Sequence, residues 1–152
     1  MEIPRFKTAG SEDGFTLIEL LVVMLILGML AAIALPAFFN QKNKAGDAKA
    51  KALVHATQVA METCASDNKG AYPTSCNLAR LRAIEPTIPA TGVTPTPNSP
   101  TNGYTITANG ASGTVFKLVR AATGALTYSC TVTSTNRGGC PGTGKAAGTW
   151  GP

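Results

Sequence analysis

The chain has one histidine, His55, and its four cysteines include no C-x-x-C pair. It also lacks a Gly-rich phosphate loop and any close grouping of His, Cys, Asp and Glu. Metal sites need tight Cys or His pairs, and nucleophilic or acid–base catalysis needs a nucleophile beside its base, so neither chemistry has its residues here. Asp47 and Glu62 are too far apart on one predicted helix to work as paired carboxylates. His55 reads as an ordinary helix residue. The expectation is a protein that is not an enzyme, with no cofactor and no metal. N-linked glycan acceptors are absent too, because Asn98-Ser99 has no hydroxyl residue at the third place.

Charge is scarce where it is most informative. From Phe15 to Phe39 the chain runs 25 residues with Glu19 as the one charged side chain. As a helix this stretch would be roughly 37 Å long, enough to cross a bilayer. A carboxylate one turn into such a helix is costly and calls for a functional explanation. A plain anchor gives Glu19 no role. A secretory signal needs a basic start, and Met1–Gly14 carries Glu2, Glu12 and Asp13 against Arg5 and Lys7. A wholly buried core helix is excluded because the remaining chain is too small to enclose it.

The segment Gly14-Phe15-Thr16-Leu17-Ile18-Glu19-Leu20-Leu21, with Gly28 and Pro36 further along the apolar run, resembles the class III signal of type IV prepilins and pseudopilins. The resemblance spans Gly14 to about Pro36, and the acidic Ser11-Glu12-Asp13 departs from the family's usual basic leader. It implies that a prepilin peptidase cuts after Gly14 and methylates the new N-terminal Phe15. Residues 1–14 would be the leader and 15–40 the transmembrane and assembly half of a long helix. Glu19 would meet the N-terminal amine of a neighbouring subunit. Two unit charges ~4 Å apart attract by about 4 kcal/mol at an effective dielectric near 20, much of it offset by desolvation. Such a pair fixes register more than it adds stability. Gly28 and Pro36 would let the segment lose helicity during packing. Further implied partners are the assembly platform, its ATPase motor and other copies of the chain, joined through their N-terminal helices. The location implied is single-pass in the cytoplasmic membrane, then an extracellular pilus.

Beyond Asn40 residues 41–152 read as a globular head, giving an α+β fold. Ala45, Ala48, Ala52, Ala56, Val59 and Thr63 recur at helical spacing and are expected to face that head, with Lys42, Lys44, Asp47, Lys49 and Lys51 elsewhere. One helix should run from Phe15 to about Ala65 and stop at Asp67-Asn68-Lys69-Gly70. Residues 66–101 read as a connecting loop with a short helix at Asn77–Ile84. Pro86, Pro89, Pro95, Pro97 and Pro100 are too many for a helix or central strand. The Thr/Ser/Pro mixture at Thr91–Thr101 suits an exposed loop. Within 103–133, period-two alternation marks strands at Tyr104–Ala108, Thr114–Arg120 and Ala125–Thr133, an antiparallel sheet of three or four strands covering the helix. Residues 134–152 read as a Gly-rich, poorly ordered tail with Trp150 docked.

Cys64, Cys76, Cys130 and Cys140 allow three pairings. An oxidising exterior suits disulfides, with Cys64–Cys76 and Cys130–Cys140 favoured and the crossed pairings left open. The second bridge resembles the C-terminal disulfide loop of many pilins. Without Arg5 and Lys7, and without Glu2, Glu12 and Asp13, the totals of 13 basic and 8 acidic residues become 11 and 5. That excess suits solubility, non-specific contact with DNA or surfaces, or, at the Lys42–Lys51 cluster, lipid head groups. The reading is a pilus subunit. The alternatives are a type II secretion pseudopilin, a minor pilin, or a membrane-anchored binding protein that does not polymerise.

Overall fold

The computed structural model describes residues 14–98, 102–132, 138–141 and 148–151. Its elements run α1 (Leu17–Asp67), α2 (Leu78–Ile84), β1 (Val93–Asn98), β2 (Gly103–Asn109), β3 (Thr114–Arg120) and β4 (Leu126–Val132). The four strands form one antiparallel sheet in the order β1-β2-β3-β4. The chain divides into two compact units, Met1–Ala37 and Phe38–Pro152, which part just after Pro36.

Within the second unit, α1 ends where local chemistry stops it. Lys69 and Gly70 take positive φ, and the Gly70 N–H reaches back to the Ala65 carbonyl at 2.8 Å. The Asn68 side-chain amide caps the Cys64 carbonyl at 2.7 Å. These bonds satisfy carbonyls that the last turn leaves without helical partners. Asn77 caps α2 by accepting the Arg80 N–H, and the Cys64–Cys76 bridge ties α2 to the end of α1.

The sheet alternates as its period-two pattern requires. Tyr104, Ile106 and Ala108 on β2, Thr114, Phe116 and Leu118 on β3, and Cys130 and Val132 on β4 are buried. Thr114 apart, they share one core with Val54, Met61 and Cys64 of α1, Leu81 of α2 and Val93 of β1. The buried stripe of α1 is Asp47, Ala50, Val54, Thr57, Ala60, Met61, Cys64 and Ala65. This overturns the expected face. Ala45, Ala48, Ala52, Val59 and Thr63 are exposed on the opposite side, and Ala56 is half-buried. The larger side chains Val54 and Met61, and a carboxylate with donors waiting for it, decide the rotation of the helix; small alanines contribute little area.

The expected connecting loop also needs correcting, because it contains β1. Asn109 donates to the Gly92 carbonyl, and Val93 pairs with Ala108. Hydrogen-bonded pairs alternate along an antiparallel ladder, so Thr94, Thr96 and Asn98 face β2 with their backbone groups while Pro95 and Pro97 turn theirs outward. An edge strand tolerates proline at such positions.

The described parts of the expected loose tail are docked. Gly148 bridges Cys130 in both directions, at 2.7 and 3.0 Å, and Cys140 is bonded to Cys130. Trp150 donates to the Ser129 carbonyl and packs edge-on against Phe116 and Tyr128. Thr133 and residues 134–137 and 142–147 lie outside the described residues.

Candidate assembly site

Gly14, Phe15 and Thr16 precede the first helical turn, and Phe15 is 76% exposed. Thr16 is the cap that starts α1: its carbonyl accepts from Glu19 and Leu20, and its hydroxyl accepts the Glu19 N–H at 3.2 Å. Thr16-Leu17-Ile18-Glu19 has the spacing of a capping box, and a carboxylate in the first turn also complements the helix dipole. The expected helix start at Phe15 therefore moves to Leu17. Cleavage before Phe15 would leave a free amine one residue ahead of the cap and four residues ahead of Glu19.

Beyond Glu19, every large apolar side chain to Phe39 is between 46% and 77% exposed. The helix is long and apolar enough to cross a membrane, with a mean hydropathy of 2.8 over its most apolar 18-residue window. Gly28 has no atom within 4 Å of where a Cβ would stand, so packing inside this chain does not require a glycine there. Pro36 lies within α1, which continues through it although proline supplies no N–H to the ladder.

The head is fastened at two polar points. Asp47 is fully buried and accepts from the Ser112 N–H, the Ser112 hydroxyl and the Gly139 N–H at 3.1, 2.6 and 2.8 Å. Gly138 comes so close, at φ +49°, that a Cβ there would overlap the Asp47 carboxylate. One turn on, Lys51 donates to the Gly139 carbonyl at 2.7 Å and lies over the rings of Phe116 and Trp150. At the other end Glu62 accepts from Tyr72 and Tyr104, at 2.5 and 2.8 Å, and pairs with Arg120 at 3.3 Å. Burial first, then the hydrogen bond to Glu62, pushes the Tyr72 phenol up to about 12; the same causes raise Tyr104 further.

The cysteines pair as Cys64–Cys76 and Cys130–Cys140, with Cα atoms 6.0 and 5.8 Å apart. His55 is exposed beside the rings of Tyr128 and Trp150. Among the described residues no group of three or more His, Cys, Asp or Glu could hold a metal ion. Residue spacing did not reveal the roles of Thr16, Asp47 and Lys51. The capping-box spacing was a usable signal for Thr16; nothing local marks Asp47, whose partners lie 65 and 92 residues away.

The described residues thus form a capped, exposed, membrane-length helix followed in sequence by a disulfide-bonded α+β head. The chain is similar to proteins of the type IV pilin and pseudopilin family. The family model described as the prokaryotic N-terminal methylation motif matches residues 11–35. The chain is 35% identical over 83 residues to type II secretion system core protein G of Vibrio cholerae, covering 55% of this chain and 56% of that one. Against the protein G of Dickeya chrysanthemi it is 35% identical over 94 residues, 61% and 58% of the two chains. The type IV major fimbrial protein FimA of Dichelobacter nodosus is 40% identical over 60 residues, 40% and 38%. The chain thus spans about half the length of the curated relatives it matches. No solved structure matches.

Proposed function

We propose that the chain is a structural subunit, not a catalyst, that polymerises through its N-terminal helix into a filament of the type IV pilus class. A prepilin peptidase cuts between Gly14 and Phe15 and methylates Phe15. The apolar helix holds the subunit in the cytoplasmic membrane until an assembly platform and its ATPase extract it. One observation carries this reading: the apolar face from Phe15 to Phe39 is exposed in the single chain and holds one carboxylate, Glu19, just inside the capped start. Membrane lipid covers that face before extraction, and neighbouring helices cover it afterwards. In the filament Glu19 meets the Phe15 amine of a neighbour.

The test is the N-terminal mass of the mature protein in sheared extracellular material. N-methylated Phe15 in recovered fibres is the expected result; an N-terminus at Met1, or a chain found only as a membrane-held monomer, sinks the proposal. A second reading, a pseudopilin of a type II secretion system, is favoured by similarity that runs 83 residues with protein G against 60 with FimA. Deleting the gene separates the two, because loss of secreted enzymes with surface fibres intact selects the pseudopilin.

A further inference from the structure

Five carboxylates follow Gly14, all among the described residues. Asp47 is buried against Ser112 and Gly139, Glu62 pairs with Arg120, and Asp67 pairs with Arg80. Glu85 is turned onto its own loop by the N–H and hydroxyl of Thr87. Glu19 lies in the apolar span. Lys42, Lys44 and Lys49 are exposed, and among the described residues none of them makes an ion pair. In a second copy Asp47, Glu62 and Asp67 are held in the same way, Glu85 accepts from Thr87 and Glu19 lies in the apolar span, so chain-to-chain contact offers these lysines few carboxylates. Lys51 differs, since the Gly139 carbonyl and two rings hold it.

Position along α1 narrows the partner. Lys42 and Lys44 lie roughly 5 and 8 Å past Phe39 along the axis, about the depth of the headgroup layer outside the hydrocarbon. Lys49 follows at roughly 15 Å, inside the reach of a surface potential that decays over about 10 Å. At about 100° per residue, Lys42 and Lys49 share one side of the helix and Lys44 lies about 140–160° around from them. The lysines therefore lie on two opposite sides of the rod, as contacts to headgroups around an anchored helix would. A duplex would need its phosphate contacts on one surface. Phe38 and Phe39, 63% and 58% exposed, supply aromatic rings at the boundary where such rings settle.

We infer that Lys42 and Lys44, backed by Lys49, form a collar that binds anionic phospholipid headgroups at the outer end of the span. This deepens the membrane-held stage of the proposed function and rests on that reading. Extraction into a filament must then strip headgroups from the collar as well as lipid tails from the span.

The full chain would be reconstituted in phosphatidylcholine vesicles, then in vesicles with about one third phosphatidylglycerol, and acylated with a neutral permeant reagent scored lysine by lysine. Acylation of Lys42 and Lys44 should slow about threefold or more with the anionic lipid and recover at high salt, while Lys69 and Lys117 stay unchanged. Equal slowing at every lysine, or none at Lys42 and Lys44, overturns the collar. Duplex DNA added to the phosphatidylcholine vesicles overturns it too if it protects those two lysines as strongly. Lys42→Gln with Lys44→Gln, at exposed sites the fold does not use, should abolish phosphatidylglycerol-dependent slowing of chain transfer between vesicles; persistence of the slowing also overturns it. Filament formation is scored separately in cells, so a chain that never polymerises defeats the proposed function and leaves the vesicle result standing.

Discussion

The carboxylate of Asp47 accepts the backbone N–H of Gly139 across 92 residues of sequence, and Cys140 is bonded to Cys130 immediately beyond. Helix, sheet and C-terminal loop meet at that contact. Asp47→Ala leaves three donors without their acceptor in a buried place. The head should lose about 2–4 kcal/mol, with Asp47→Asn costing less, read as a shift in the denaturant midpoint of the detergent-solubilised chain.

The two disulfides should respond differently to that change. Replacing either pair by serine should cost about 3 kcal/mol from loop entropy. Losing Cys130–Cys140 also frees Gly139 from Asp47, so combining it with Asp47→Ala should cost less than the sum of the two. Loss of Cys64–Cys76 should simply add. A double-mutant cycle for each bridge decides it, and equal coupling at both would contradict the arrangement.

Alkaline stability follows from Tyr72 and Tyr104. Their phenols titrate above the ordinary value of 10.0 because burial, and then the hydrogen bond to Glu62, disfavours the phenolate. The folded head therefore binds these protons more tightly than the unfolded chain. Its stabilisation is complete below pH 10.0 and is lost as pH rises toward the Tyr72 value of about 12. Unfolding midpoints should fall across that window, and Tyr72→Phe should flatten the fall.

Helix rotation can be tested with neighbours two residues apart. Ala50 is 4% exposed and Ala52 faces solvent. Ala50→Leu should destabilise the head by about 1–3 kcal/mol through overpacking, and Ala52→Leu should stay within about 0.5 kcal/mol. The reverse order in thermal unfolding would restore the face expected from the alanine spacing.

Glu19→Ala should abolish incorporation into filaments and leave membrane insertion unchanged, measured as sheared fibre against membrane-bound chain. Unaltered fibre yield would remove Glu19 from assembly. Removing a carboxylate from an apolar span relieves a cost, so loss of fibre without loss of anchoring points to a partner.

Much of the fold was legible because its periods are strong. The apolar run from Phe15 to Phe39, the stop at Asn68-Lys69-Gly70 and the alternation Tyr128, Cys130, Val132 are local signals that tertiary context did not override. The errors have a common origin in contacts distant along the chain. Asp47 reads as a solvent residue until the Ser112 and Gly139 donors arrive from elsewhere, and its burial rotates the whole helical face. Pro95 and Pro97 read as loop until the register with β2 turns their missing N–H groups outward. At the candidate assembly site, Glu19 and its apolar surroundings are plain in the sequence, and the capping role of Thr16 needed only a closer reading of the same four residues.

The two ends of the sheet carry a further consequence. A bare strand edge invites pairing with the next molecule, and that risk grows when many copies are crowded side by side. Here Pro95 and Pro97 interrupt the outward row of donors on β1, and Gly148 occupies the outer edge of β4 at Cys130. Heads built this way can be brought to very high local concentration with little tendency to zip together through their strands. Order in a crowded array is then left to the helices.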